Sequence, residues 1–317
     1  MKYNVFIDGQ EGTTGLKIVE DLSKLANIEV MRIDADKRKN TTERSKLLNQ
    51  ADLVFLCLPD SAARESIELI KNTDTRVINT STAFRTDNDW VFGLPEIKGQ
   101  RELIRAASKV SVPGCHATGF ILTIRPLIDA GLLQKDYPIS CYSLTGYSGA
   151  GRSGIEEYEN PVHIASKLLH APKHYALRLD HKHLPEMSMY AGLSHEPLFT
   201  PVIANYRQGM AMTIPLISRM LPKKSTAQEI HEALAEYYSS EPFIHVMPFQ
   251  SEAYHDHGRF DITACNHTNR LEIFVFGNND NINIISRYDN LGKGASGAAI
   301  QNMNLMLGFD ECNGLVK

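Results

Sequence analysis

The chain has 317 residues, 43% of them hydrophobic and 22% charged, with a formal net charge of −4. That composition is ordinary for a folded protein and excludes a disordered chain. The slightly acidic balance, with no basic stretch beyond a few residues, argues against nucleic acid as a partner, and no apolar run is long enough to cross a bilayer.

Tyr3 to Ile7 reads as a short buried strand with no signal-peptide apolar region before it, so a cytoplasmic protein is expected. The strand runs into Asp8-Gly9-Gln10-Glu11-Gly12-Thr13-Thr14-Gly15, after which Leu16, Val19, Leu22 and Leu25 recur at helical spacing. Glycines between a strand and a helix let the backbone turn sharply and approach a pyrophosphate, which then meets the free N–H groups and positive end of the helix. The spacing G-x-x-G-x-x-G departs from the usual dinucleotide pattern, and a glycine turn without a nucleotide is the plainer alternative. Gly9, Gly12, Thr13, Thr14 and Gly15 are therefore the candidate cofactor contacts of this loop.

A second strand, Ile28 to Ile33, leads to Asp34, Asp36 and three consecutive cations, Lys37, Arg38 and Lys39. An acid here suits the ribose hydroxyls of NAD, whereas Lys37 and Arg38 suit the 2′-phosphate of NADP. Three cations favour NADP, against the plainer reading of a solvated loop. Leu53 to Leu58 is a continuous apolar run, typical of a parallel strand covered on both faces. Residues 61–71 have helical character, and 76–79 and 110–112 read as strands. Strands alternating with helices predict an α/β fold with a Rossmann-type doubly wound parallel sheet.

Beyond about residue 135 strand-like pieces dominate, at 139–145, 211–216, 271–277 and 282–287, with one helix near 226–239. This predicts a second, α+β domain on a mixed or antiparallel sheet, with the boundary near 114–120. Residues 291–307 carry helical periodicity through Ala295, Ala299, Met303 and Met306.

The five cysteines, Cys57, Cys115, Cys141, Cys265 and Cys312, form no C-x-x-C pair, so neither a disulfide framework nor a cysteine-rich zinc site is expected. Cys115 stands apart, in Val112-Pro113-Gly114-Cys115-His116-Ala117-Thr118-Gly119. Pro113 and Gly114 force a turn between a strand and a helix, and a helix N-terminus stabilises a thiolate. Cys115 is the candidate nucleophile, while Cys57 inside its apolar run reads as core. His181, His183 and Glu186 form H-x-H-x-x-E, a pattern that offers a proton donor held by a carboxylate. If the segment is extended, both histidines face the same side. His183 is the first choice for acid/base work and His181 the second; zinc binding is the rival reading of the same residues. His255 and His257 flank Asp256 in what reads as a polar loop. The second glycine-rich stretch, Gly146-Tyr147-Ser148-Gly149-Ala150-Gly151-Arg152, and Arg85 of Ser81-Thr82-Ala83-Phe84-Arg85 suit anionic substrate groups, since arginine reads carboxylate or phosphate with a planar fork.

Together these motifs resemble the N-acetyl-gamma-glutamyl-phosphate reductases, in their shorter type 2 branch. The resemblance takes in the glycine loop, the Ser81–Arg85 segment, Gly93-Leu94-Pro95-Glu96, the Pro113-Gly114-Cys115 turn, the Gly146–Arg152 loop, the histidine motif and Asp289-Asn290-Leu291-Gly292-Lys293-Gly294-Ala295. His116 departs from the aromatic residue often found after the cysteine, and Ala83 stands where many members carry Asp. The resemblance implies a semialdehyde dehydrogenase-like fold, NADP, a cytoplasmic location and a homodimer or homotetramer. It implies an NADP-binding domain over 1–114 completed by a C-terminal helix within 290–317, and a catalytic and oligomerisation domain over 115–289. By the same analogy Ser81 and Asn290 join the cofactor contacts, and Ser148, Gly149, Arg152 and Arg85 the substrate contacts. The expected reaction is attack of the Cys115 thiolate on an acyl phosphate, then reduction of the thioester to the semialdehyde, with N–H groups around Cys115 and His116 holding the oxyanion. Aspartate-semialdehyde dehydrogenase is the nearest rival, and a nucleotide-sensing regulator on the same fold is a non-enzymatic one.

Overall fold

The computed structural model describes residues 2–250, 255–256 and 258–317. The chain forms two compact units, one of residues 1–114 with 295–315, the other of 115–294 with 316–317.

In the first unit the elements alternate: β1 (Tyr3–Asp8), α1 (Thr13–Leu22), β2 (Ile28–Met31), α2 (Thr41–Gln50), β3 (Leu53–Leu56), α3 (Asp60–Leu69), β4 (Arg76–Asn79), β5 (Val91–Phe92), α4 (Gln100–Ala106) and β6 (Lys109–Ser111). All strands are parallel, in the order β2-β1-β3-β4-β6-β5. The chain winds outward in both directions from β1, which places a topological switch point between β1 and β3, at the end of which the glycine loop lies. Side chains alternate across the sheet. Val5, Ile7, Leu53, Phe55, Ile78 and Val110 pack on one face with Ile18 and Leu22 of α1 and with Ala299, Ile300 and Met303 of the last helix, Gly297–Leu307. Phe6, Val54, Leu56 and Val77 pack on the other with Leu48 of α2 and Ala63 of α3. The doubly wound parallel sheet expected from the strand-helix alternation is thus present.

Local details differ from the sequence reading. Leu16 is 54% exposed, and the buried stripe of α1 is Gly15, Ile18 and Leu22. The helix ends at Leu22, so Leu25 packs from the turn beyond it. The final helix is preceded by a wide π-type turn, Gly292–Ser296, and begins six residues later than the periodicity suggests.

The second unit carries a mixed seven-stranded sheet in the order β11-β14-β15-β10-β7-β9-β8. Its strands are β7 (Ser140–Gly146), β8 (Lys173–His174), β9 (Leu198–Ala204), β10 (Met210–Ile217), β11 (Ile244–Val246), β14 (Leu271–Gly277) and β15 (Asn281–Tyr288). Two pairings are parallel, β7 with β9 and β11 with β14; the rest are antiparallel. Among the described residues five α-helices accompany the sheet, where the sequence predicts two, one opening at Cys115 and one near 226–239: α5 (Cys115–Asp129), α6 (Gly151–Tyr158), α7 (Pro161–Ser166), α8 (Leu184–Ala191) and α9 (Ala227–Tyr237). Helix α5 is buried on nearly every side, with α8, α9 and β15 packed against it. Such a helix shows no amphipathic period, because every face is apolar. Helix α9, expected near 226–239, opens on a full capping box, Thr226 with Glu229. His255–Asp256 is not a loop but a two-residue strand, β12, antiparallel to β13 (Arg259–Phe260); His257 lies outside the described residues.

Candidate active site

The glycine loop owes its glycines to crowding as much as to any ligand. Gly9 has φ +95°, and a Cβ there would sit 2.3 Å from the Cys57 carbonyl oxygen. A Cβ on Gly15 would sit 2.3 Å from the Gly9 carbonyl oxygen. The loop is pinned beside the end of β2 by Gln10 Nε2, which donates to the Ile33 carbonyl at 3.2 Å. The basic turn follows directly: Lys37 pairs with Asp34 at 3.1 Å, and Arg38 lies 3.6 Å from Glu11 of the glycine loop. Both cations stay about half exposed. Thr13 and Thr14 open helix α1, whose first N–H groups face the turn. Ser81 folds back, its hydroxyl donating to Asn79 Oδ1 at 2.9 Å. Arg85 is buried and spends Nε on the Val112 carbonyl at 2.9 Å and Nη2 on the Thr80 carbonyl at 3.0 Å.

One charged cluster here had no sequence signature. Asp8, the last residue of β1, is buried against Arg44, with Nη2 to Oδ2 at 3.0 Å, and receives the Ser66 hydroxyl at 2.8 Å. The three residues come from β1, α2 and α3, so only the tertiary fold unites them.

In the second unit Cys115 is the first residue of α5, half-buried at the turn that Pro113 and Gly114 make. Its carbonyl accepts a hydrogen bond from the buried Tyr288 hydroxyl at 2.7 Å. Gly119, one turn along, leaves room for that ring: a Cβ there would lie 2.5 Å from the tyrosine oxygen. Gly294 packs on Cys115 itself, since its Cβ would lie 3.0 Å from that of the cysteine.

Three imidazoles gather at this turn. His181 and His183 are T-shaped at 4.6 Å between ring centroids, and His116 lies 5.4 and 5.6 Å from them. The segment carrying the pair is not extended. Leu184 N–H bonds back to the His181 carbonyl at 3.0 Å, and His183 caps α8 with φ −90° and ψ −10°. Pro185 in the first turn of α8 sets this geometry, so the rings meet across a turn rather than by strand alternation. His181 Nδ1 accepts from the His183 N–H at 3.1 Å, which leaves the proton of a neutral His181 on Nε2. His183 is buried and His181 half-buried. Glu186 is also buried, in the first turn of α8, where the helix dipole favours a carboxylate. Its charge, added to burial, pushes the Tyr190 hydroxyl up to about 12.

His116 is 2% exposed and bonded at both nitrogens, Nδ1 to Ser143 Oγ at 2.8 Å and Nε2 to the Tyr175 hydroxyl at 2.7 Å. Burial, and then the neighbouring His181 and Lys182, hold it well below the usual imidazole range, so it is neutral near pH 7. Nothing in the local sequence marks Tyr175 or Ser143 as partners of His116. Among the described residues no group of three or more His, Cys, Asp and Glu side chains is arranged to hold a metal ion.

The loop 146–152 lies at the end of β7. Asn290 joins it, donating from Nδ2 to Ser148 Oγ at 2.9 Å and accepting the Gly209 N–H at 2.8 Å. Asn290 belongs to the second unit and is buried, as is Ser148. Gly149 borders both: a Cβ there would lie 3.2 Å from Thr145 Oγ1 and 3.7 Å from Asn290 Nδ2. Arg152, in the first turn of α6, is well exposed and pairs with Glu156 at 2.7 Å. Three of the other cysteines are poorly disposed to react. Burial pushes the Cys57 and Cys265 thiols up to about 12 and raises that of Cys141 as well.

Comparison with known proteins bears on both units. Residues 4–107 match the family described as the semialdehyde dehydrogenase NAD binding domain, and residues 115–290 the semialdehyde dehydrogenase dimerisation domain. N-acetyl-gamma-glutamyl-phosphate reductase 2 of Nostoc sp. is 45% identical over 321 residues, covering 99% of each chain. A protein of Burkholderia cenocepacia carrying the name N-acetyl-gamma-glutamyl-phosphate reductase is 44% identical over 96% of this chain and 97% of its own. Among solved structures, aspartate semialdehyde dehydrogenase II of Vibrio cholerae superposes with TM-score 0.72 at 16% identity, over 97% of this chain and 99% of that one. The Francisella tularensis aspartate semialdehyde dehydrogenase gives 0.69 at 13% identity, over 96% and 100%. At such identity these structures speak to the fold alone.

Proposed function

Since the chain belongs to the semialdehyde dehydrogenase family, among its N-acetyl-gamma-glutamyl-phosphate reductases, we propose that it reduces N-acetyl-gamma-glutamyl phosphate to N-acetyl-glutamate 5-semialdehyde and phosphate, in the cytoplasm, as a step of arginine biosynthesis. The observation that carries the reading is the half-buried Cys115 at the first position of a fifteen-residue helix, with the His181–His183 pair gathered over the same turn.

The Cys115 thiolate attacks the acyl carbonyl; a C–S bond forms, the C–O bond to phosphate breaks, and phosphate departs. A helix start favours a thiolate, and its main-chain N–H groups are the proposed donors to the oxyanion. The residues of the first unit fit a dinucleotide: a glycine cradle too tight for side chains, a helix N-terminus, and Lys37 and Arg38 beside it for a 2′-phosphate, which makes NADP the proposed cofactor. When bound, its nicotinamide supplies the hydride that reduces the thioester. His183 donates the proton that the resulting alkoxide needs, and His181 and Glu186 hold the surrounding charge and geometry. As the thiohemiacetal collapses, His183 takes that proton back, the C–S bond breaks and Cys115 regains its thiolate. Ser148, Gly149 and the exposed Arg152 are the proposed contacts for substrate carboxylate or phosphate; Arg85, already serving two carbonyls, is the second cationic candidate. Ser81 and Asn290 remain the further proposed cofactor contacts. A homodimer or homotetramer is proposed on the family's dimerisation domain and on the exposed apolar side chains Val162, Ile164 and Leu168 within it.

The test is phosphate-dependent reduction of NADP with two aldehydes. N-acetyl-glutamate semialdehyde should support turnover and aspartate semialdehyde should not; the reverse preference would overturn the reading.

A further inference from the structure

Between β8 and α8 the chain crosses from Tyr175 to His181 as a strap with little to hold it down. Leu177 is 76% and Leu179 54% exposed, and Arg178, Asp180 and Lys182 are exposed as well. Ala176 and Leu179 have φ of +50° and +59°, left-handed backbone that is unfavourable for residues with a Cβ. A segment that buries so little apolar surface and holds two strained residues needs a specific attachment to stay in one conformation.

That attachment is present at its first residue. The Tyr175 N–H bonds the Pro201 carbonyl of β9 at 3.2 Å, and the Tyr175 hydroxyl bonds His116 Nε2 at 2.7 Å. His116 is fixed in turn by Ser143 of β7 through Nδ1. The strap is thereby tied at one end to the residue that follows Cys115, and at its other end it delivers His181, whose ring lies 5.7 Å from that of Tyr175 and 5.4 Å from that of His116. His181 then receives the His183 N–H, so displacement of the strap would carry the whole histidine pair with it.

We propose that Tyr175 is a positioning residue: through its hydrogen bond to His116 it fastens the 175–181 strap, and so holds the His181–His183 pair over the Cys115 turn. The inference rests on the reading of Cys115 and the histidines as the reacting groups. Tyr175 itself touches no reacting atom in this scheme. Its effect passes through His116, which predicts that the two residues are energetically coupled.

The experiment compares Tyr175→Phe, His116→Phe and the double variant. Tyr175→Phe removes one hydroxyl and keeps the ring. It should lower kcat about fivefold to tenfold, the scale of one buried hydrogen bond, while KM for the acyl phosphate stays within about twofold. The double variant should be no slower than His116→Phe alone. Brief trypsin treatment of the full-length protein should cut after Arg178 or Lys182 several-fold faster in Tyr175→Phe, with other sites unchanged. Independent, multiplying effects of the two substitutions would overturn the proposal, as would unchanged proteolysis of the strap. Proteolysis is read without turnover, so an active Cys115→Ser enzyme would remove the covalent reading while leaving the strap result standing.

Discussion

A thiol becomes a useful nucleophile only where its thiolate is stabilised and accessible, and the proposal of Cys115 rests on its half-buried position at a helix start. Cys115→Ser should therefore lower turnover by several orders of magnitude while NADP still binds, since a hydroxyl is a much poorer nucleophile at neutral pH. Near-normal kcat in the serine variant would remove the covalent mechanism. Iodoacetamide should modify Cys115 well before Cys57, whose thiol is pushed up to about 12. For the proton donor, His183→Asn should cost about 10²-fold or more in kcat, the usual scale for a lost general acid, and His181→Asn should act mainly on KM. Steady-state constants for both variants decide it, and a kcat loss confined to His181→Asn would reverse the roles. At this scale the sequence was informative wherever a residue's role depends on its immediate neighbours, as with Pro113-Gly114-Cys115. It was silent on Tyr175 and Ser143, which lie 59 and 27 positions from His116 and meet it only after folding. It also misread the backbone of 181–183, because Pro185 starts a helix where alternation suggested an extended run.

Elements were legible where a local pattern marks them. The apolar run of β3 lies buried between two helical layers, and α9 announces itself by its capping box. Helix α5 is legible only through the turn before it, and α2 is not legible, for its sequence TTERSKLLNQ carries just two buried side chains, one of them the arginine that answers Asp8. The loop after β2 supports a cofactor prediction. Lys37 and Arg38 stand free of the sheet on one short turn, and Arg38 leans toward Glu11 of the glycine loop, so a phosphate on the adenosine ribose would find two cations within one turn of backbone. Changing both to Ala should raise KM for NADP at least tenfold and leave KM for NAD nearly unchanged, because only NADP carries that phosphate. Kinetics with the two cofactors check this, and equal effects on both would separate the turn from phosphate recognition.

For the whole molecule, the buried imidazole of His116 ties stability to pH. Its folded pKa lies well below the ordinary value, so under acid conditions the unfolded chain binds a proton that the folded chain refuses. More protons bound in the unfolded state means that stability rises with pH, so this contribution is fully present above the ordinary imidazole pKa of about 6.5 and is lost as pH falls below it. His245, also lowered by burial, acts in the same direction. Tm should fall between pH 7.5 and 5.5, and His116→Phe should reduce that slope even though it lowers Tm overall; calorimetry over this range reads both. An unchanged slope would mean that His116 does not carry the effect.

The division of the chain into a unit made of its beginning and its end has a consequence for synthesis on the ribosome. The strands that supply Val5, Ile7, Phe55 and Ile78 are made first, yet the helix that covers them with Ala299, Ile300 and Met303 is made last. At a translation rate of about 5–20 residues per second, the nascent sheet waits roughly ten to forty seconds with one apolar face covered only in part, by α1 and α4, while the intervening unit is extruded and folds. During that interval the growing polypeptide is a substrate for chaperones that bind exposed apolar strands, and a message truncated before Gly297 should yield protein that stays bound to them or aggregates.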